Sequence, residues 1–113
     1  MDVRPRTTRL MAVAVAVVGV TAALPAAGAE YTVSLKGTTF QPPTVNAKVG
    51  DTLKFINDDS VDHEMFVPTK GFGVDLGMQK PPTVSELKLA KQGSFEVECV
   101  IHPHMVLKVN VSQ

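Results

Sequence analysis

The sequence predicts an all-β domain, a sandwich or a barrel, downstream of residue 29. Short stretches alternate apolar and polar residues with the period of a half-buried strand. Gly, Pro, Asn and Asp form turn signals between these stretches. No stretch after Ala29 shows sustained helical periodicity. The chain has 113 residues, a length that supports one small domain.

The first 29 residues predict a secretory signal peptide. Three arginines precede an uncharged run from Leu10 to Leu24, and Ala27-Gly28-Ala29 follows as a cleavage pattern. A membrane anchor is the alternative, but a spanning helix needs about 20 apolar residues, which is longer than this run. Cleavage would leave residues 30–113 as the mature domain, without a membrane span. An export signal of this form indicates a bacterial periplasm, with an extracellular location as the alternative.

The first predicted strands lie in residues 31–55. Tyr31, Val33 and Leu35 alternate with polar residues until Gly37 breaks the pattern. The Pro42-Pro43 step resists helix and suits an edge or a bend. A short strand over 44–49 ends at a Gly-Asp turn, and another begins at residue 53.

The remaining strands lie between the polar turn at 57–60 and the end of the chain. A strand over 65–67 stops at Pro68. Residues 69–82 are predicted to form a loop because they contain three glycines and a Pro81-Pro82 pair. Three more strands follow over 84–89, 95–99 and 106–111. About seven to eight short strands are therefore expected.

Composition excludes several classes of site and partner. A single cysteine excludes an intrachain disulfide, a CxxC pair, a four-thiolate zinc site and a CxxCH haem attachment. The net charge is zero for the whole chain, which argues against nucleic acid as a partner. A lone thiol exported to an oxidising compartment is exposed to oxidation unless it is occupied. Cys99 is therefore a candidate ligand, and a buried core thiol is the alternative.

The chemistry is concentrated in Cys99-Val100-Ile101-His102-Pro103-His104-Met105. One tight turn between two strands carries a thiolate, an imidazole and a thioether. Thiolate and thioether select copper, and imidazole accepts it. A trigonal site of two His and one Cys, with a weak axial Met, is an electron-transfer copper site. The loop supplies Cys, one His and Met, so a second His must come from elsewhere.

His63 is the one histidine of the predicted mature chain that lies outside this loop. It lies at the start of a predicted strand, and loops of a sandwich cluster at the ends of its sheets. His63 and the loop can therefore meet. Taken alone, His63 between Asp62 and Glu64 would be a surface residue. Asp58, Asp59, Asp62 and Glu64 are predicted to form a solvated turn, with an acidic patch that steers a basic partner as the alternative.

These motifs resemble the cupredoxins, the type 1 copper proteins. The pattern C-x-x-H-P-x-M after a short strand, and a single upstream His after "GDTLKFIN", are similar to a small amicyanin- or plastocyanin-like member. The resemblance implies a Greek-key β-sandwich with one copper ion near one end. It implies His63, Cys99, His102 and Met105 as copper ligands. It also implies one-electron transfer, with His102 as the route of electron exit.

Two residues depart from the family pattern. Many relatives have Asn directly after the upstream His, whereas this chain has Glu64, which lacks the donors of an amide. By its resemblance to the red-copper relatives, Glu64 is also a candidate oxygen ligand. His104 stands between two of the expected ligands. It is expected to be exposed, and a substitute ligand or a copper-entry residue are its other interpretations.

The function predicted from these residues is a periplasmic electron carrier between unidentified redox proteins. It is expected to be a monomer. It is not expected to be an enzyme, since four protein ligands leave no open position on the metal for a substrate or a reactive water. The alternative is a copper-handling or tolerance protein that uses His104 and Met65 in metal transfer. A structural zinc module is a further interpretation. A copper enzyme such as a reductase is disfavoured, because the chain has one short domain and no second histidine cluster.

Overall fold

A computed structural model describes residues 28–113. The predicted signal peptide lies outside the described residues except for Gly28 and Ala29. The described part consists of nine strands and no helix, so none of its segments is a helix that could cross a membrane. The strands are β1 (Glu30–Lys36), β2 (Thr39–Gln41), β3 (Thr44–Lys48), β4 (Thr52–Asn57), β5 (His63–Val67), β6 (Val74–Gln79), β7 (Val84–Lys88), β8 (Gly93–Cys99) and β9 (Val106–Ser112).

The strands form two sheets. One has the order β2-β1-β4-β7, and the other has the order β3-β9-β8-β5-β6. The β1–β4 and β3–β9 pairs are parallel, and the other pairs are antiparallel. The predicted all-β sandwich is confirmed. The structure has nine strands where about seven to eight were predicted.

The core lies between the sheets and follows the alternation in the sequence. In β8, Phe95, Val97 and Cys99 are buried, while their neighbours are half-buried or exposed. In β1, Val33 and Leu35 are completely buried on one face. Each large apolar side chain removed from water contributes about 1.5–3 kcal/mol. A domain without a disulfide depends on such burial for its stability.

The prediction that residues 69–82 form a loop was wrong, because β6 lies within this segment. β6 is the edge strand of its sheet and pairs with β5 alone. Most of its side chains are exposed or half-buried, and Gln79 is its one buried residue. An edge strand of this kind shows no apolar alternation. Its pairing with β5 also includes an irregularity beside Gly77, which has a φ of +76°.

Ala29, one residue before β1, is hydrogen-bonded to the domain. The backbone N–H of Ala29 donates to the Asp51 carboxylate over 2.8 Å. The Ala29 carbonyl accepts the Thr52 N–H over 2.9 Å. Asp51 is buried, and its other carboxylate oxygen accepts the Lys48 N–H. Ala29 therefore extends the parallel pairing of β1 with β4.

Candidate metal centre

Two antiparallel strands place His63 and Cys99 at the same end of the sandwich. His63 is the first residue of β5, and Cys99 is the last residue of β8. Met65 and Cys99 are direct partners across the two strands, so His63 lies diagonally opposite Cys99. Both side chains point inward, with exposures of 0% for His63 and 2% for Cys99. The predicted meeting of these two regions is thus observed.

The loop between β8 and β9 adds His102 to this pair. The Val100 N–H donates to the Glu64 carbonyl over 2.8 Å, which fixes the start of the loop against β5. The Met105 N–H donates to the His102 carbonyl over 2.9 Å, which closes the turn. The His102 side chain is half-buried, and its ring centroid lies 4.9 Å from that of His63.

The donor atoms converge on one point. The Cys99 Sγ lies 3.8 Å from His63 Nδ1 and 3.5 Å from His102 Nδ1. One donor atom from each of the three residues lies within 4.8 Å of the others. A point equidistant from three donors at such spacings is about 2.0–2.4 Å from each, which is the length of metal–nitrogen and metal–thiolate bonds. The spacing of these donor atoms therefore fits a metal ion.

The chemistry of the donors fits copper. One thiolate and two imidazoles form the trigonal set of electron-transfer copper sites, which a weak axial thioether completes. Met105 is 1% exposed and lies in the core at the end of the same loop. The structure brings His63, Cys99 and His102 together as a cluster and places Met105 in the adjoining core.

Asp59 contacts this site, although the sequence predicted a solvated turn or, as the alternative, an acidic patch for a basic partner. Its carboxylate Oδ2 lies 3.0 Å from His63 Nε2, the ring nitrogen that faces away from Cys99. The same oxygen accepts the Thr38 backbone N–H over 2.9 Å. The Thr38 N–H and, to a lesser extent, the His63 ring hold the pKa of Asp59 below its usual value, although burial opposes them. The sequence did not reveal this contact, because an aspartate four residues before His63 in an acidic turn looks like an ordinary solvated residue.

The other candidates lie outside the donor cluster of the described residues. His104 is exposed, as predicted, and its Nε2 lies 3.2 Å from the Thr38 hydroxyl. Glu64 is half-buried on the opposite face of β5 from His63, and its backbone carbonyl, not its side chain, supports the loop. Met65 is completely buried.

The comparisons with known proteins identify the family. No protein-family model matches the chain. The methylamine utilization protein MauL of Methylorubrum extorquens is 31% identical over 105 residues, which cover 92% of this chain and 92% of MauL. Two structures of amicyanin variants, one reduced and one in the Cu(I) form, are 27% identical to this chain. They have a TM-score of 0.69 and are matched over 80% of this chain and 88% of their own.

One more solved structure supports the fold alone. A purple cupredoxin from Nitrosopumilus maritimus is 22% identical, with a TM-score of 0.64, and it covers 72% of this chain and 98% of its own. Together with the sandwich and its cluster of donors, these similarities confirm the resemblance in the sequence. The chain belongs to the cupredoxins, the family of type 1 copper proteins, where it is related to MauL and to amicyanin.

Proposed function

We propose that His63, Cys99, His102 and Met105 hold the single copper ion of this electron carrier. The observation that carries the proposal is the convergence of one thiolate sulfur and two imidazole nitrogens at the end of the sandwich. Copper bound there supplies a one-electron couple between Cu(II) and Cu(I). The protein is a carrier and not an enzyme.

The strands hold the donors in place. His63 and Cys99 sit on hydrogen-bonded neighbouring strands, and His102 sits on a loop closed by its own backbone hydrogen bond. Cys99 would bind the metal as a thiolate, and both histidines would bind it as neutral imidazoles through Nδ1, the ring nitrogen that faces Cys99 Sγ. Because the spacing of these donors already suits one metal ion, the site would need little rearrangement when the ion gains or loses an electron. Burial of His63 and Cys99 excludes water from the inner side of the site.

The exposed side of the loop is the proposed route for electrons. His102 is half-buried, so it lies between the buried donors His63 and Cys99 and the solvent. Val100 and Ile101 beside it are 55% and 47% exposed. A redox partner that covers these two apolar side chains comes close to the His102 ring. We propose a protein partner with a matching apolar surface, and a monomeric carrier.

We propose the periplasm as the location, on the strength of the sequence pattern in residues 1–29. The three arginines, the uncharged run and the Ala-Gly-Ala pattern favour export and cleavage. The mature domain is then residues 30–113. Its single cysteine is buried, which protects it from oxidation in that compartment.

Copper handling is the second candidate for this site. It calls for accessible transfer ligands, and Met65 is completely buried, whereas His104 is exposed. Two rates on the copper-loaded protein separate the two functions. Electron self-exchange is measured by NMR line broadening in mixtures of the two oxidation states, and copper release is measured with a competing chelator. At the same protein concentration, we expect the rate of electron self-exchange to be much faster than the rate of copper release. Release that is faster than self-exchange would favour copper handling.

A further inference from the structure

Asp59 connects the candidate metal centre to the turn between β1 and β2. Its Oδ2 lies 3.0 Å from His63 Nε2 and accepts the Thr38 N–H over 2.9 Å. Its own N–H donates to Asn57 Oδ1 over 3.0 Å. Asn57 is buried and in turn donates to the carbonyls of Val61 and Gln79. Two groups therefore contact the Asp59 Oδ2, and the Asn57 side chain holds the turn in which Asp59 lies. The Asp59 side chain is only 14% exposed.

We propose that Asp59 is a positioning residue, which holds the His63 ring with its proton on Nε2 and its Nδ1 lone pair toward the metal. The proposal rests on the proposed copper site. An ionised carboxylate can only accept hydrogen bonds, so the Nε2 in contact with it must be the donor. A neutral imidazole with its proton on Nε2 has its free lone pair on Nδ1. That nitrogen is the one 3.8 Å from Cys99 Sγ.

Thr38 is the second anchor of this arrangement. It has a φ of +55°, a conformation that is rare for a β-branched residue. Its N–H is bound by Asp59, and its hydroxyl lies 3.2 Å from His104 Nε2. The turn from the other sheet thus contacts both the upstream histidine, through Asp59, and the ligand loop, through His104. Backbone strain of this kind persists only where the surroundings hold the residue in place.

A carboxylate on the outer nitrogen also changes the balance between the two copper states. It raises the basicity of the ligating imidazole, and its negative charge favours the more positive ion. Asp59 therefore stabilises Cu(II) relative to Cu(I). Loss of such an outer partner typically changes metal affinity by about 10- to 100-fold.

The first test compares Asp59→Asn with Asp58→Asn in the full mature protein. Both variants remove one negative charge, but Asp58 is exposed and bonds Ser34, not His63. We expect Asp59→Asn to lower the ratio of Cu(II) to Cu(I) affinity about tenfold, which for one electron raises the reduction potential by about 59 mV. Asp58→Asn should change the ratio by no more than about twofold, or about 18 mV. Equal shifts in the two variants would overturn the proposal.

The second test needs no copper, so its result is independent of the proposed function. Nitrogen-15 NMR of the metal-free protein identifies which His63 nitrogen carries the proton. We expect Nε2 in the wild type and in Asp59→Asn, whose amide oxygen still accepts. A mixture of the two tautomers is expected in Asp59→Ala. A wild-type proton on Nδ1, or an unchanged tautomer in Asp59→Ala, would refute the positioning role. Dispersed amide spectra show that each variant is folded.

Discussion

Replacement of Met105 separates its contribution to packing from its proposed contribution to metal binding. Its side chain is 1% exposed and belongs to the core. Met105→Ala should lower the unfolding free energy of the metal-free protein by about 3 kcal/mol, within the range of 2–5 kcal/mol for buried Met truncations. For a domain of this size that corresponds to a melting temperature about 12–24 °C lower. Met105→Leu keeps the volume and should cost less than about 1.5 kcal/mol.

Leucine keeps the volume of methionine but supplies no donor atom. Met105→Ala therefore tests packing, and Met105→Leu tests metal binding by the thioether. Urea unfolding of the metal-free proteins measures packing. The visible spectrum and reduction potential of copper-loaded Met105→Leu measure the loss of the thioether, and both should differ from those of the wild type. A copper spectrum and potential identical to wild type in Met105→Leu would show that Met105 is not a ligand. Equal stabilities of the metal-free Ala and Leu variants would refute the reasoning from burial.

Three further predictions follow from the described contacts. In the metal-free protein the pKa of Asp59 is lowered, so below the ordinary aspartate pKa of about 4 the folded state binds fewer protons than the unfolded chain. Stability therefore falls as the pH drops from there through the lowered pKa of Asp59. Urea titrations should show a shallower fall for Asp59→Asn, and parallel curves would contradict this. Ile101→Glu should slow electron self-exchange about fivefold, because like charges that meet in water cost about 1 kcal/mol. It should leave the copper-release rate unchanged, and an equal slowing of both rates would contradict the proposed docking surface. A protein that starts at Ala29 should be about 1–3 kcal/mol more stable than one that starts at Glu30, because the Ala29 backbone makes two hydrogen bonds, one to the Asp51 carboxylate and one to the Thr52 N–H. Equal urea midpoints at equal slopes would refute this.

Much of the fold could be predicted because its strands are amphipathic. In β8 and β9 the apolar residues alternate with polar ones, and the structure buries the apolar set. β6 was missed because an exposed edge strand has no need of an apolar face. Its pairing with β5 depends on backbone hydrogen bonds, which do not require particular side chains and so cannot be recognised in the sequence.

The candidate site was predictable where the chemistry of a residue is distinctive. Cys99 and His102 stand at a fixed spacing in one loop, and His63 was the remaining imidazole outside it. Asp59 was not predictable, because an aspartate in an acidic turn is normally solvated. Its role depends on Thr38, which is distant in sequence and lies beside Asp59 only once β1 has paired with β4.

The most direct test of the copper site is the absorption and EPR spectrum of the Cu(II)-loaded mature protein beside those of Cys99→Ser. His104→Ala serves as a matched control, since His104 is exposed and outside the donor cluster. We predict an intense thiolate-to-copper band in the wild type and in His104→Ala, and its loss in Cys99→Ser. A colourless wild-type protein with an ordinary tetragonal copper EPR spectrum would contradict the account.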